Sequence, residues 1–318
     1  MRSAGLGWLG PVAGLAGVYL LFALIGPESF HSARSVEQIL RQTAIVGVAA
    51  LGMTLVIISG GIDLSVGSVI ALTTVIVAAI LGRDATPLVA AAAGIAAAGL
   101  CGLLNGVLIA GLRVVPFIVT LGTLLVVRGA AKGLAGEQKI DAPLTWLADL
   151  LAALRPDQKW MLAPAGVWLM VALALAVSLL LRRTRLGRHI FAVGSNEQAA
   201  HLSGVPVARV KMAVYALAAL FAGAAGVLQF SRLTVGDPTV AMGLELDVIA
   251  AVVIGGGSLS GGEGSVLGSI VGALIMTVIR SGCSQMGLPN WVQEIVTGGI
   301  IVLAVALDRL RQRRAARA

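Results

Sequence analysis

Charge is scarce in this chain: only 12% of its 318 residues are Asp, Glu, Lys or Arg, against roughly a quarter in an ordinary soluble domain. Aromatic residues make up only 4% and cysteines number two. Cys101 and Cys283 sit in apolar context without a CxxC or His partner, so neither a disulfide framework nor a metal site is indicated, and both read as packing thiols. The three histidines, His31, His189 and His201, lie far apart, and no Ser/His/Asp set or carboxylate pair suggests an enzyme, so no catalytic residue is expected. A G-x-x-x-x-G-K-[ST] signature is also missing. The clusters Gly255–Gly257 and Gly261–Gly264 lack the Lys-Ser/Thr that would hold phosphates and magnesium, so no cofactor is expected on this chain.

What the chain has instead is length of apolar run. It is 58% hydrophobic with a mean hydropathy of +0.97, which predicts an all-α, polytopic protein embedded in a lipid bilayer. Segments bounded by Gly, Pro or charge fall at about 6–26, 39–60, 66–81, 87–112, 115–128, 161–181, 212–231, 245–257, 264–280 and 291–307, giving about ten spans. Two of them, 115–128 and 245–257, fall short of the ~20 residues of a full crossing and read as half-helices or re-entrant elements. The first segment, behind Arg2, is too long and glycine-dotted for a cleaved leader and reads as a retained helix. Glycine, at 41 residues, suits close helix approach in lipid, as at Gly102/Gly106 and Gly264/Gly268/Gly272.

The net charge of +8 does not point to nucleic acid, because the basic residues flank apolar spans rather than stud an aromatic surface. With both termini cytoplasmic, thirteen basic residues fall inside against the acids Asp63, Glu197, Glu263 and Asp308. They are Arg2, Arg113, the block Arg182 to Lys211, and Arg309, Arg311, Arg313, Arg314 and Arg317 of the tail. The positive-inside rule favours that orientation. The expected organisation is one transmembrane domain over 1–308 with an external loop at 129–160, an internal polar loop at 182–211 and a basic cytoplasmic tail at 309–318. A short amphipathic helix is expected at Leu144–Leu154 of the external loop.

The internal loop carries its own helix signals. Ser195 fits an N-cap with Gln198 at N3, Glu197 suits the positive helix end, Gly204 supplies a left-handed exit and Pro206 blocks continuation, for a helix of about eight residues. Such a helix seats in a partner's groove or is simply solvated, and local sequence leaves both open. A local similarity also links 57–72 with 253–274, apolar run, Gly cluster, Leu-Ser and Gly-Ser-Val, in parallel sense. Asp63, between Gly60/Gly61 and Ser65/Gly67, either caps a helix start or serves gating or ion coupling. Asn105, Thr120, Thr123 and Gln229 lie inside spans, as pathway groups or as interhelical glue. Glu245 and Asp247 flank the short eighth span at its outer end, for a partner contact or for plain solvation. No polar cluster is legible within the spans.

Three stretches taken together, GMTLVIISGGIDLSVGSVIAL, GRHIFAVGSNEQAAHLSGVPVARVK and AVVIGGGSLSGGEGSVLGSIVGALI, resemble the permease subunits of bacterial ABC importers of the ribose type, over about Leu40 to Leu307. The Ile-Asp-Leu-Ser-Val-Gly wording favours the sugar branch over the related branched-chain amino acid permeases. The resemblance implies a multi-pass inner-membrane permease for a monosaccharide, paired with a second permease subunit as a homodimer. Its implied partners are a cytoplasmic ABC ATPase that binds ATP and magnesium, and a periplasmic sugar-binding protein. It matches Ser195, Asn196, Glu197, Ala199, Ala200, Ser203 and Gly204 to the helix that couples to the ATPase. Gly60, Gly61, Asp63, Ser65, Gly67, Gly255, Gly256, Gly257, Gly261 and Gly262 then read as the broken-helix, gating motifs. An ion-driven secondary transporter using Asp63 is the alternative, and the scarcity of other intramembrane acids argues against it.

Overall fold

The computed structural model describes residues 9–315; Arg2, the first residues of the leading apolar segment and the end of the basic tail, with Arg317, lie outside the described residues. In chain order the α-helices are α1 Leu9–Ile25, α2 Ala33–Ile58, α3 Val66–Leu81, α4 Pro87–Leu112, α5 Pro116–Leu134, α6 Trp146–Asp149, α7 Ala165–Arg183, α8 Arg185–Ser195, α9 Glu197–Leu202, α10 Val207–Leu233, α11 Leu244–Ile254, α12 Val266–Gln285 and α13 Asn290–Ala315. Two short strands, β1 Ile140–Asp141 and β2 Val235–Gly236, pair antiparallel. Among the described residues six helices (α2, α4, α5, α7, α10 and α12) are long and apolar enough to cross a bilayer, and α1, α3 and α13 carry shorter apolar stretches. The protein is therefore a predominantly helical, multi-pass membrane protein.

Helix α2 is the axis of the core. Every residue from Thr43 to Ile58 is buried, as expected of a helix that is apolar on all sides. Around it, α10 packs closely on α4 because glycine lines the seam: a Cβ at Gly102 would fall on the Tyr215 carbonyl, and one at Gly106 would come within 2.6 Å of the Met212 Cα. By contrast α4, α5 and α7 present Leu100, Leu103, Leu125, Val126, Leu175 and Leu179 outward, a surface fit for lipid or a second subunit.

The loops sort into two ends. At one, the Gly262 amide donates to the Ile58 carbonyl at 2.8 Å, and Arg113 shares a groove with Glu197 and Lys211. At the other, Ser231 Oγ ties α10 to the 129–160 loop through the Leu151 amide (2.9 Å) and the Ala148 carbonyl (3.1 Å). This is the grouping that the parity of the spans requires.

Two expectations are corrected, and a third, the short eighth segment, holds. Helix α5 runs over 19 residues, long enough to cross, because Arg128 turns inward to the Pro238 and Val240 carbonyls at 3.0 and 2.7 Å instead of ending the span. The amphipathic helix of Leu144–Leu154 shrinks to the four residues of α6. Beyond Leu150 its backbone groups go to other partners: the Leu151 amide to Ser231, the Leu150 carbonyl to the Gly166 amide, and the Leu154 amide to Glu37. The short eighth segment is α11, only 11 residues.

Helices α3 and α11 begin beside one another. The chain leaving β2 runs back along α3: the Asp237 amide donates to Thr74 Oγ1 at 3.2 Å, and Ala241 and Glu245 lie against Gly67. From that level α3 heads toward Leu81, while α11 heads toward the Ile58 end. A non-helical approach precedes each, so the two are half-helices pointing opposite ways, an arrangement that lipid tolerates only inside protein.

Candidate functional site

Two glycine turns end helices in the same way. After α2 the Gly60 amide donates to the Ile57 carbonyl (2.9 Å) and the Gly61 amide to that of Val56 (3.0 Å); after α11 the Gly256 and Gly257 amides donate to Val253 (2.9 Å) and Val252 (2.8 Å). Gly60 and Gly256 take φ values of +82° and +92°, so both turns are Schellman caps that need a residue without a Cβ penalty. The resemblance between 57–72 and 253–274 is thus real at the level of the caps. A second correspondence, which the sequence reading missed, is antiparallel. Asp63 Oδ1 accepts from the amide and hydroxyl of Ser65 at 2.8 and 2.6 Å, and Asp237 Oδ1 accepts from the amide and hydroxyl of Thr239 at 2.8 and 2.6 Å. One acid-x-hydroxyl turn leads into α3, the other toward α11. For Asp63 this is the capping reading.

The turn after α2 and the Gly261–Gly262 stretch between α11 and α12 meet the polar 182–211 loop at close backbone range. A Cβ at Gly194, in the last turn of α8, would fall on the Ile58 carbonyl and within 2.6 Å of the Gly262 amide nitrogen. One at Gly261 would come within 2.6 Å of the Gly194 carbonyl and 2.9 Å of the Gly60 Cα, and one at Gly262 within 2.6 Å of Ser195 Oγ. Gly194 carried no role in the sequence reading, since a glycine in a polar helix looks like any other. The structure makes it the point where α8 touches the end of α2 and the Gly261–Gly262 stretch between α11 and α12 together. The α11–α12 seam is equally bare: a Cβ on Gly255 would strike the Gly268 backbone, and one on Gly268 would strike that of Gly255.

Ser195 is not the cap of the following helix. It ends α8 in helical conformation, and Asn196, with extended φ and ψ of −162° and 103°, caps α9 by accepting from the Ala199 amide at 2.9 Å. Helix α9 is therefore six residues long. Gly204 provides the expected left-handed exit at φ +80°, and Ser203 Oγ donates to the Ala199 carbonyl at 2.9 Å. Lys211 grips both oxygens of Glu197 at 2.7 and 2.8 Å, fastening α9 to α10. Ala200 is buried against the core, while Leu202 is 87% exposed at the end of α9. Between α9 and the α4–α5 turn lies an open groove of about 930 Å³, lined by Arg113, Val115, Glu197, His201 and Lys211 among others.

The candidate pathway groups part company. Asn105 Nδ2 donates to Ser65 Oγ at 3.0 Å and Thr120 Oγ1 to the Ile62 carbonyl at 3.2 Å, so both brace the segment before α3. Thr123 Oγ1 donates to the Thr120 carbonyl within its own helix at 3.3 Å. Gln229 alone faces a cavity, and with it the expectation of spans without a polar cluster fails. Gln42, Gln229, Arg232, Asp247, Thr277 and Arg280 come together around about 270 Å³. Asp247 is not a solvated outer-end acid: its side chain is 1% exposed and its Oδ2 meets Arg280 Nη2 at 2.6 Å.

The chain resembles known proteins over nearly its whole length. The family described as branched-chain amino acid transport system / permease component matches residues 35–305. The ribose import permease protein RbsC of Escherichia coli (strain K12) is 40% identical over 307 residues, 96% of this chain and 95% of the relative. The L-arabinose ABC transporter permease protein AraH of Azospirillum brasilense is 36% identical, covering 95% of this chain and 89% of the relative. The fructose import permease protein FrcC of Rhizobium meliloti is 36% identical, covering 91% and 82%. No solved structure gives a significant match.

Proposed function

We propose that this chain, which belongs to the branched-chain amino acid transport system / permease component family, is the membrane subunit of an ATP-driven importer that carries a monosaccharide from the periplasm to the cytoplasm. Its relatives named for ribose, L-arabinose and fructose support a sugar cargo. In this reading the protein lies in the bacterial inner membrane with both termini cytoplasmic, and two copies pair around a central pathway. ATP and magnesium bind a separate cytoplasmic ATPase, and a periplasmic sugar-binding protein delivers the cargo.

The observation that carries the reading is the backbone junction of Gly60, Gly194 and Gly261–Gly262. Helix α9 with its cap presents exposed Leu202, Glu197 and Ser203 to the solvent, and α8 rests directly on the end of α2 and on the Gly261–Gly262 stretch between α11 and α12. A push on α9 by a closing ATPase therefore reaches the end of α2 and the connection between α11 and α12 without passing through a flexible side chain. Ala200 supports α9 from below rather than meeting the partner. The ties of Asp63 to Ser65 weigh against the ion-driven alternative, since the carboxylate is already used to hold a turn.

The test is uptake of radiolabelled ribose, L-arabinose and fructose by cells expressing the chain with its ATPase and binding protein. Leu202→Asp is expected to abolish uptake while the protein still reaches the membrane; uptake at the unaltered rate sinks the coupling role of α9.

A further inference from the structure

The cavity around Gln229 is walled by four separate elements. Gln42, Ile45 and Val46 come from α2, Gln229 and Arg232 from α10, Leu244 and Asp247 from α11, and Met276, Thr277 and Arg280 from α12. The segment Val240–Met242, which leads into α11, completes it. Its volume of about 270 Å³ sits just under the ~300 Å³ floor of pockets for drug-sized ligands, and so suits a small solute. A void lined by this many polar groups holds a polar occupant, whereas an apolar one stays dry.

The chemistry of the wall narrows the occupant. Asp247 Oδ2 is held by Arg280, but its Oδ1 has no hydrogen-bond partner although the side chain is 1% exposed. A buried carboxylate oxygen left so is costly and asks for a donor. Arg232 and Arg280 donate only, the amides of Gln42 and Gln229 both donate and accept, and Thr277 adds a hydroxyl already shared with Thr43 at 2.6 Å. An anion would meet the carboxylate, and a cation would meet two guanidiniums. A neutral molecule with several adjacent hydroxyls satisfies donors and acceptors together, and Met276, Ile45, Val46 and Leu244 offer apolar surface to its C–H face. Placement agrees, because the cavity lies where half-helix α11 starts, the kind of position at which discontinuous membrane helices hold solutes.

The geometry points to a sugar-holding site inside each subunit, with Asp247 and Gln229 as the residues that receive hydroxyls. The inference rests on the importer reading for the nature of the cargo and adds a stopping place within the protomer to the central pathway.

The permease–ATPase complex, without its binding protein, is assembled in lipid nanodiscs and mixed in turn with D-ribose, L-arabinose and D-fructose, and saturation transfer to each sugar is recorded by NMR. At least one sugar is expected to bind. Gln229→Leu, nearly the same in size, is expected to weaken that binding at least tenfold, and Asp247→Asn to do the same, with both variants eluting as intact complexes. No transfer from the wild-type complex, or undiminished transfer in Gln229→Leu, means a cavity that holds water alone and overturns the assignment. If intact cells accumulate one of the sugars while the complex binds none, only the cavity assignment falls. If cells carrying the whole importer accumulate none of the three, the sugar reading falls and the assignment with it.

Discussion

A methyl group at Gly194 would land on the Ile58 carbonyl and beside the Gly262 amide, atoms that belong to backbone and so cannot swing aside. Overpacking of this kind costs about 1–3 kcal/mol. Here the loss is expected to fall on coupling, because the three segments would separate. Gly194→Ala should keep membrane insertion and lower sugar uptake several-fold while ATP hydrolysis by the complex persists, measured side by side in proteoliposomes. Uptake and hydrolysis falling in step would instead mean a merely damaged fold. Arg128 poses the opposite problem, a charge that must stay. Its guanidinium serves the Pro238 and Val240 carbonyls, and Arg128→Met leaves both without that donor, at about 1–3 kcal/mol for each buried group. Thermal melting in detergent should show a clear drop, and an unchanged midpoint would mean that the carbonyls find other donors.

At the scale of elements, what was legible in the sequence followed from chemistry that acts locally. Span positions show because lipid demands apolar residues along a whole helix, and the boundaries at 66–81 and 87–112 coincide with α3 and α4. Helix ends at Gly60, Gly204 and Gly256 show because a left-handed residue favours glycine. Other features depended on distant partners. Whether Ser195 or Asn196 caps α9 turns on which of two good caps adopts extended backbone, and α8 keeps Ser195 helical. The helix expected at Leu144–Leu154 failed at Leu150 because Ser231 and Glu37, 80 and 117 residues away in sequence, take its backbone amides. Arg128 read as the end of a span because nothing nearby in sequence hints at carbonyls 110 residues on. The cavity of Gln42, Gln229, Asp247 and Arg280 was invisible for the same reason, each member looking like an isolated polar residue in an apolar run.

For the whole molecule, orientation in the membrane rests on charge, and accessibility tests it. With Leu202→Cys or Leu144→Cys introduced, at positions 87% and 79% exposed, a membrane-impermeant thiol reagent should label the second in spheroplasts and the first only after lysis. The reverse pattern would turn the molecule over. The end of the molecule that holds the 129–160 loop also carries an acid-sensitive fastening. Burial pushes the Asp237 carboxyl up, but the Thr239 hydroxyl and amide and the Lys139 ammonium outweigh it and hold it below the usual carboxylate range. Lys139 Nζ lies 3.2 Å from Asp237 Oδ2. With the folded value below the unfolded one of about 3.9, the stabilisation is complete above that pH and is lost as pH falls through the folded value. The melting difference between wild type and Asp237→Asn should therefore hold steady from neutral pH to about 4 and narrow below it. A gap that closed near neutrality would contradict this account.

The bare seam of Gly255 and Gly268 also bears on how such a protein drifts over generations. Most poor fits in a core can be relieved from the other side, a large residue here answered by a smaller one there. At this seam each glycine already abuts the backbone of the other, and no amino acid is smaller. A substitution at either position therefore has no second-site suppressor at its partner. In a saturation library with uptake as the selection, both positions should reject every replacement, alone and in combination.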